Sequence, residues 1–178
     1  MKYVFFTFIA LFVIGNSTTA HAYLTTHKDA FTVDGETAVF IIDYEFGHEH
    51  YDLLLPFHAS HSGSTTRDSV GYRIVDTDGT PGAGTAYGVV LSSVTRENML
   101  YRIPKGYSAP FRLLVLYTRD ASEVGKSLRL EVTHLPFSFS GVRDLSLNDT
   151  ELTKYVSPYV TLHKGALIRV TGVEVNTN

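Results

Sequence analysis

A two-residue period along residues 37–46 is the feature that most limits how this chain can fold. One side of the stretch is wholly apolar and consists of Ala38, Phe40, Ile42, Tyr44 and Phe46. The other side becomes acidic, passing from Val39 and Ile41 to Asp43 and Glu45. Successive side chains of a strand point to opposite faces, so this pattern predicts a strand with one buried face.

The same period recurs through most of the chain. Further strands are predicted over 51–55, 70–74, 85–91, 99–103, 111–117, 128–134, 159–163 and 166–175, with Gly172 as a bulge in the last. Leu114 and Leu116 make the stretch 111–117 apolar on both sides, which places it centrally in a sheet. Short strands between Gly-, Pro-, Asn- and Asp-rich turns favour an all-β fold, an antiparallel β-sandwich of Ig-like or jelly-roll-like type with about eight to ten strands.

Two local motifs add detail to this sandwich. The turn at 103–106, Ile-Pro-Lys-Gly, followed by the alternating strand 111–117 resembles the hairpin of many bacterial Ig-like surface modules, over a short part of the chain. Asn148 with Glu151 three residues later has the form of a capping box. It predicts one short helix near 149–156, which Pro158 ends.

The amino-terminal residues have the order of an export signal. Lys2 precedes an apolar run over 3–14, and Ala20-His21-Ala22 supplies a small-x-small cleavage motif. The run is much shorter than the roughly 20 apolar residues that a membrane-spanning helix needs. We therefore expect a signal peptide over 1–22, and one β-sandwich domain over 23–178 with no membrane span after cleavage.

Composition narrows the classes of function. The chain has no cysteine, which excludes disulfides and thiol chemistry and favours a bacterial periplasm or exterior among secreted locations. Its formal net charge is −3, and loss of Lys2 with the signal makes it one unit more negative. Because no basic stripe is visible, nucleic acid and anionic membranes are not expected as partners.

A histidine-rich stretch is the densest group of potential metal ligands. If a strand begins near His48, then His48, His50 and Asp52 share one exposed face, and His58 and His61 follow closely. Imidazole and carboxylate groups suit zinc or copper. These five residues form a candidate zinc or copper site, and the alternative is a set of solvated polar side chains.

Motifs for enzymatic chemistry are sparse. The pair in Gly47-His48-Glu49-His50 is similar to the His-x-His copper pair of copper–zinc superoxide dismutases, but the disulfide of that family has no counterpart in a chain without cysteine. No G-x-S-x-G elbow, H-E-x-x-H motif, P-loop or dinucleotide fingerprint occurs. Catalytic residues are therefore not assigned. A secreted hydrolase using acidic side chains, or a carbohydrate-binding module, remains as a third possibility.

We interpret the chain as an exported β-sandwich that serves as a non-catalytic structural, adhesive or assembly module. Its partner is expected to be a protein or a second copy, contacted through exposed sheet edges or tyrosine-bearing loops. Most of the tyrosines, among them Tyr87, Tyr101, Tyr107, Tyr155 and Tyr159, are interpreted as core or cross-strand packing. The stretch Tyr23–Val33 is expected to be an ordinary first strand, and strand addition to another copy is the alternative.

Overall fold

The fold is nearly all β, as the two-residue period predicts. The computed structural model describes residues 21–61, 68–140, 145–146 and 155–163. Its strands are β1 (His21–Thr32), β2 (Thr37–Gly47), β3 (Leu53–Pro56), β4 (His58–His61), β5 (Ser69–Asp76), β6 (Thr85–Ser92), β7 (Arg96–Glu97), β8 (Leu100–Ile103), β9 (Ser108–Thr118), β10 (Ser127–His134), β11 (Pro136–Phe139), β12 (Leu145–Ser146) and β13 (Val160–Thr161). A single 3₁₀ turn, Ala121–Glu123, is the helical element of this part of the chain.

Two sheets form the layers of a sandwich with barrel-like curvature. The larger has eight strands in the order β1-β2-β9-β6-β4-β5-β10-β13, and the smaller has five in the order β12-β11-β3-β8-β7. The described residues form thirteen strands, which is more than the eight to ten expected. The excess comes from strands that are only two to four residues long. All pairs are antiparallel except β4 and β5, which are parallel.

The core lies between the two sheets. The inward side chains of β2, from Ala38 to Phe46, are at most 1% exposed, as their alternation predicts. Leu53 and Leu55 of β3 face them from the smaller sheet and are fully buried. The rings of Tyr101 on β8 and Phe111 on β9 meet edge to face across the layers, 5.6 Å between centroids. Apolar burial of this kind is the main stabilising contribution in a chain without disulfides.

The ends of the described chain bear on three further predictions. β1 pairs along β2 of its own chain, so the stretch Tyr23–Val33 is confirmed as a first strand. The predicted helix near 149–156 falls mostly outside the described residues. Its last two positions are not helical, and Val156 forms an isolated bridge with Glu131. The predicted strand 166–175 also lies outside the described residues.

The larger sheet curls until its two edges are joined at one end. The His163 N–H donates to the Gly35 carbonyl in the turn between β1 and β2, at 3.0 Å. The Gly125 N–H, just before β10, donates to the Leu162 carbonyl at 2.7 Å. Residues 162–163 therefore connect the β1 edge with the β13 edge. Within the part of the chain described, no helix has the length and apolar character required to traverse a bilayer.

One buried carboxylate ties the 3₁₀ turn to the core. The Tyr117 hydroxyl lies 2.8 and 2.7 Å from the two Glu123 oxygens, and Ala83 and Asp120 donate backbone N–H groups to the same carboxylate. Glu123 is 1% exposed and Tyr117 is fully buried. Burial, followed by this hydrogen bond, raises the pKa of Tyr117 far above its ordinary value. The Tyr117 hydroxyl therefore stays protonated and donates its hydrogen bond to Glu123.

Replacement of two buried tyrosines should have different effects on stability. Tyr117→Phe leaves Glu123 short of a donor and should lower the free energy of unfolding by about 1–3 kcal/mol. Tyr44 is equally buried, but its hydroxyl has no hydrogen-bond partner among the described residues. Tyr44→Phe removes an unsatisfied group and should be neutral or mildly stabilising. Urea unfolding of both variants checks this, and equal losses would contradict it.

Candidate functional site

The outward side of the larger sheet carries a continuous apolar surface. Its members lie on the four neighbouring strands β1, β2, β9 and β6, and paired residues of antiparallel strands share a face. We call this surface the outer apolar face, and it consists of Phe31, Val39, Ile41, Tyr87, Val89, Leu91, Leu114 and Leu116. Tyr87 is 69% exposed, and Phe31, Leu91 and Leu116 are 41–45% exposed.

The register arranges these side chains in rows across the strands. The first row crosses β1, β2, β9 and β6 and contains Phe31, Val39, Leu116 and Tyr87. The second row extends to β4 and contains Asp29, Ile41, Leu114, Val89 and His58. The second row therefore has an apolar middle, with a carboxylate at one end and an imidazole at the other.

The outer apolar face covers a substantial part of a side of the sheet that faces solvent. With strands about 4.8 Å apart and rows about 7 Å apart, its eight residues give a patch of about 270 Å². The largest apolar patch on a monomeric protein is typically about 300–600 Å² and is often a functional surface. The face is thus a candidate contact surface in its own right.

Charges at the border of the face are held in an internal pair. Arg112 donates from Nε and Nη2 to the two carboxylate oxygens of Asp43, at 2.6 and 2.7 Å. This hydrogen bonding raises the pKa of the Arg112 guanidinium. Beyond the first row, the residues paired across β2, β9 and β6 are Thr37, Thr118 and Thr85, which carry no charge. The face therefore has no uncompensated charge from Asp43 or Arg112 at its edge.

A cleft lies beyond this ion pair, at the far end of the same side of β2 and β9. It has a volume of about 430 Å³ and is lined by Glu45, His48, Glu49, Gly106, Tyr107 and Ser108. The Ser108 hydroxyl donates to the Glu45 carboxylate. Tyr107 is 70% exposed at its rim. The cleft combines polar groups with one aromatic ring, and it is open to solvent.

The histidine-rich stretch folds as a loop rather than as a strand. β3 begins at Leu53, so residues 48–52 do not present their side chains alternately on two faces. His48 instead accepts at Nδ1 from the backbone N–H groups of His50 and Tyr51, each at 3.1 Å. Its ring packs against Phe139, 4.6 Å between centroids. These contacts give His48 a structural role in the turn.

Asp52 is held by groups of the smaller sheet. It accepts from Arg102 Nη2 at 2.6 Å and from the Lys105 backbone N–H at 2.9 Å. The Lys105 hydrogen bond, followed by that of Arg102, lowers the pKa of the Asp52 carboxyl. Asp52 thus fastens the loop before β3 to the turn that leads into β9.

The remaining two candidate ligands project from opposite sides of β4. His58 lies on the outward side, paired with Val89. His61 is half-buried beside the Tyr72 ring, 5.5 Å between centroids, and burial lowers the pKa of its imidazole. Among the residues that the structure describes, no three His, Asp or Glu side chains converge on one point. The zinc or copper site stays a prediction.

The tyrosines divide between the core and the surface. Tyr101 and Tyr155 are buried, at 2% and 4% exposure, as interpreted from the sequence. Tyr87, Tyr107 and Tyr159 are exposed instead, and Tyr87 stands on the outer apolar face. Sequence reasoning misses this face. It takes Val39 and Ile41 only as the start of a side that becomes acidic, and Leu114 and Leu116 only as the mark of a central strand. The second apolar side of β9 was the available signal.

Comparison with known proteins returned no match to any family model, curated protein or solved structure.

The acidic anchor Asp52 should make part of the stability depend on pH. Its pKa is lower in the folded chain than in the unfolded one, so its contribution is present above pH about 4 and is lost as pH falls through the folded value. Asp52→Asn should lower the melting temperature at pH 7, and the difference from wild type should shrink towards pH 3. Glu49→Gln, whose side chain is 79% exposed, is the control. A difference independent of pH would contradict this role.

The candidate metal ligands can be tested directly. His48 Nδ1 and the Asp52 carboxylate are already bonded within the chain, and His58 and His61 face apart. If these residues are instead solvated or structural polar side chains, the melting temperature is the same with zinc, with copper and with chelator. A rise with either metal that disappears in the double variant His48→Ala/His50→Ala would establish the site instead.

Proposed function

We propose that this chain is an exported, non-catalytic assembly module that binds a protein partner through the outer apolar face. The observation that carries the proposal is the continuity of the face, eight apolar residues on four adjacent strands with four of them 41–69% exposed. A continuous apolar centre with a polar border is the usual form of a protein–protein interface. Burial of its apolar side chains would drive association.

The composition of the face agrees with a contact surface. Interface cores are depleted in charged residues and enriched in aromatic ones. Here the middle of the face is Leu114 and Leu116, with the aromatic residues Tyr87 and Phe31 at its sides. Asp43 and Arg112, next to the face on β2 and β9, neutralise each other. Asp29, at the end of the second row, lies 3.9 Å from Nε2 of His27 in its own chain. A partner therefore needs mainly an apolar surface of similar extent.

Export is the second part of the proposal. The apolar run 3–14 and the motif Ala20-His21-Ala22 support cleavage after residue 22 and a periplasmic or extracellular location. β1 begins at His21, so cleavage there would leave nearly all of this strand on the domain. A chain without cysteine forms no disulfides, so the oxidising conditions found outside the cytoplasm do not cross-link it.

Site-specific photocrosslinking tests the proposed surface. A photoreactive amino acid replaces Tyr87 on the outer apolar face or, as the control, Met99 in the turn between β7 and β8 of the other sheet. Met99 is 62% exposed, close to Tyr87 in exposure. In cells that export the protein, we expect crosslinked species from position 87 and none from position 99. Crosslinks of equal yield, or none at either position, would contradict the proposal.

A further inference from the structure

We infer that the outer apolar face binds a second copy of this chain, the two faces stacked about a twofold axis parallel to β9. This inference rests on the proposed function and names its partner. Homo-oligomers most often form twofold dimers, in which one surface contacts itself. Two sheets that pack face to face lie about 10 Å apart with their strands within about 30° of each other.

The second row of the face provides polar complementarity for such a dimer, since an imidazole N–H can donate to a carboxylate. It runs over five adjacent strands with Leu114 on β9 in the middle, Asp29 at one end and His58 at the other. Rotation about a twofold axis along β9 gives the partner's row the opposite order across the strands. Asp29 of one protomer then lies opposite the partner's His58, and the same contact occurs again at the other end of the row.

The apolar positions also match under this axis. Leu114 and Leu116 lie on the central strand and meet their own counterparts. In the second row Ile41 is placed opposite the partner's Val89. In the first row the smaller Val39 is placed opposite the partner's Tyr87, the most exposed side chain of the face. Large side chains opposite small ones allow the two layers to interdigitate.

A twofold axis perpendicular to β9 gives a poorer arrangement. An axis of this kind that crosses the second row keeps the order of that row and places Asp29 opposite the partner's Asp29. Like charges directly opposite each other are destabilising, whereas a carboxylate accepts an N–H from an imidazole. Asp29 and His58 therefore favour the parallel axis over a perpendicular axis through their own row.

Arg112 and Asp43 lie near the chosen axis, but they do not destabilise the dimer that it forms. Arg112 is two residues from Leu114 on the central strand, so it approaches the partner's Arg112. Its guanidinium is bound through two nitrogens to Asp43 in each protomer, at 2.6 and 2.7 Å. The charge that each protomer presents there is compensated within its own chain.

The extent of the surface suits a dimer of ordinary size. A standard interface buries about 800 Å² on each partner. The apolar patch, about 270 Å² in plan, forms its centre. The threonine row and the Asp43–Arg112 pair, which adjoin the apolar rows on β2 and β9, supply a polar rim. This is the usual division of an interface into apolar core and polar border.

The test measures the mass of the purified full protein over a range of concentrations by analytical ultracentrifugation. We expect a dimer, and Leu116→Glu should weaken dimerisation about 30-fold or more. Met99→Glu places the same charge on an exposed apolar residue of the other sheet and should leave the dimer unchanged. Melting temperatures confirm that both variants are folded.

A charge exchange tests the orientation of the two copies. His58→Asp alone, or Asp29→His alone, sets like groups opposite each other and should weaken the dimer about 10-fold. The double variant Asp29→His/His58→Asp restores complementary pairs and should recover the wild-type dimerisation constant. Failure of the double variant to recover would overturn the proposed axis.

Failure of this inference can be distinguished from failure of the proposed function. A protein that stays monomeric at high concentration, or a dimer indifferent to Leu116→Glu, overturns self-association through this face. If position 87 still crosslinks in cells, and mass spectrometry finds a different protein in the product, the outer apolar face remains a binding surface. If it does not crosslink, both proposals fail.

Discussion

The pairing of β2 with β9 is the constraint on which the rest of the structure depends. Eleven consecutive residue pairs join the two strands, from Thr37 with Thr118 to Gly47 with Ser108. This register directs Phe40 and Ile42 into the core and Val39 and Ile41 outward. A slip of one residue would exchange the two sets, exposing the core residues and burying Asp43 and Glu45. The core and the outer apolar face are thus two results of the same register.

The sequence was informative where side chains alternate over a long stretch. The strands β2, β9 and β10 were predicted from their own period, and β9 is central in the sheet, between β2 and β6, as its two apolar sides indicate. The strand β4 was missed, because its sequence His58-Ala59-Ser60-His61 has no apolar alternation. Its parallel pairing with β5 depends on tertiary packing, and a two-residue period within one segment contains no information about that packing.

The candidate sites show the same division between local and tertiary information. The stretch 48–52 has a strand-like spacing of ligands, but backbone N–H groups bind His48 and Arg102 binds Asp52. Arg102 is remote in sequence, so no spacing rule could reveal that contact. The outer apolar face is likewise assembled from four strands. Each strand contributes only one to three apolar side chains to it, and no single segment appears unusual.

The hydrogen bond between His163 and Gly35 has a consequence for the order of folding. It joins residues near the two ends of the described chain, and it closes the larger sheet at one end. Contacts so distant in sequence carry a high entropic cost of loop closure and form slowly. The sheet can close only after the segment around residue 163 has been synthesised. Until then, the edge of β1 remains available to any other extended chain, and the finished fold protects that edge at the closed end.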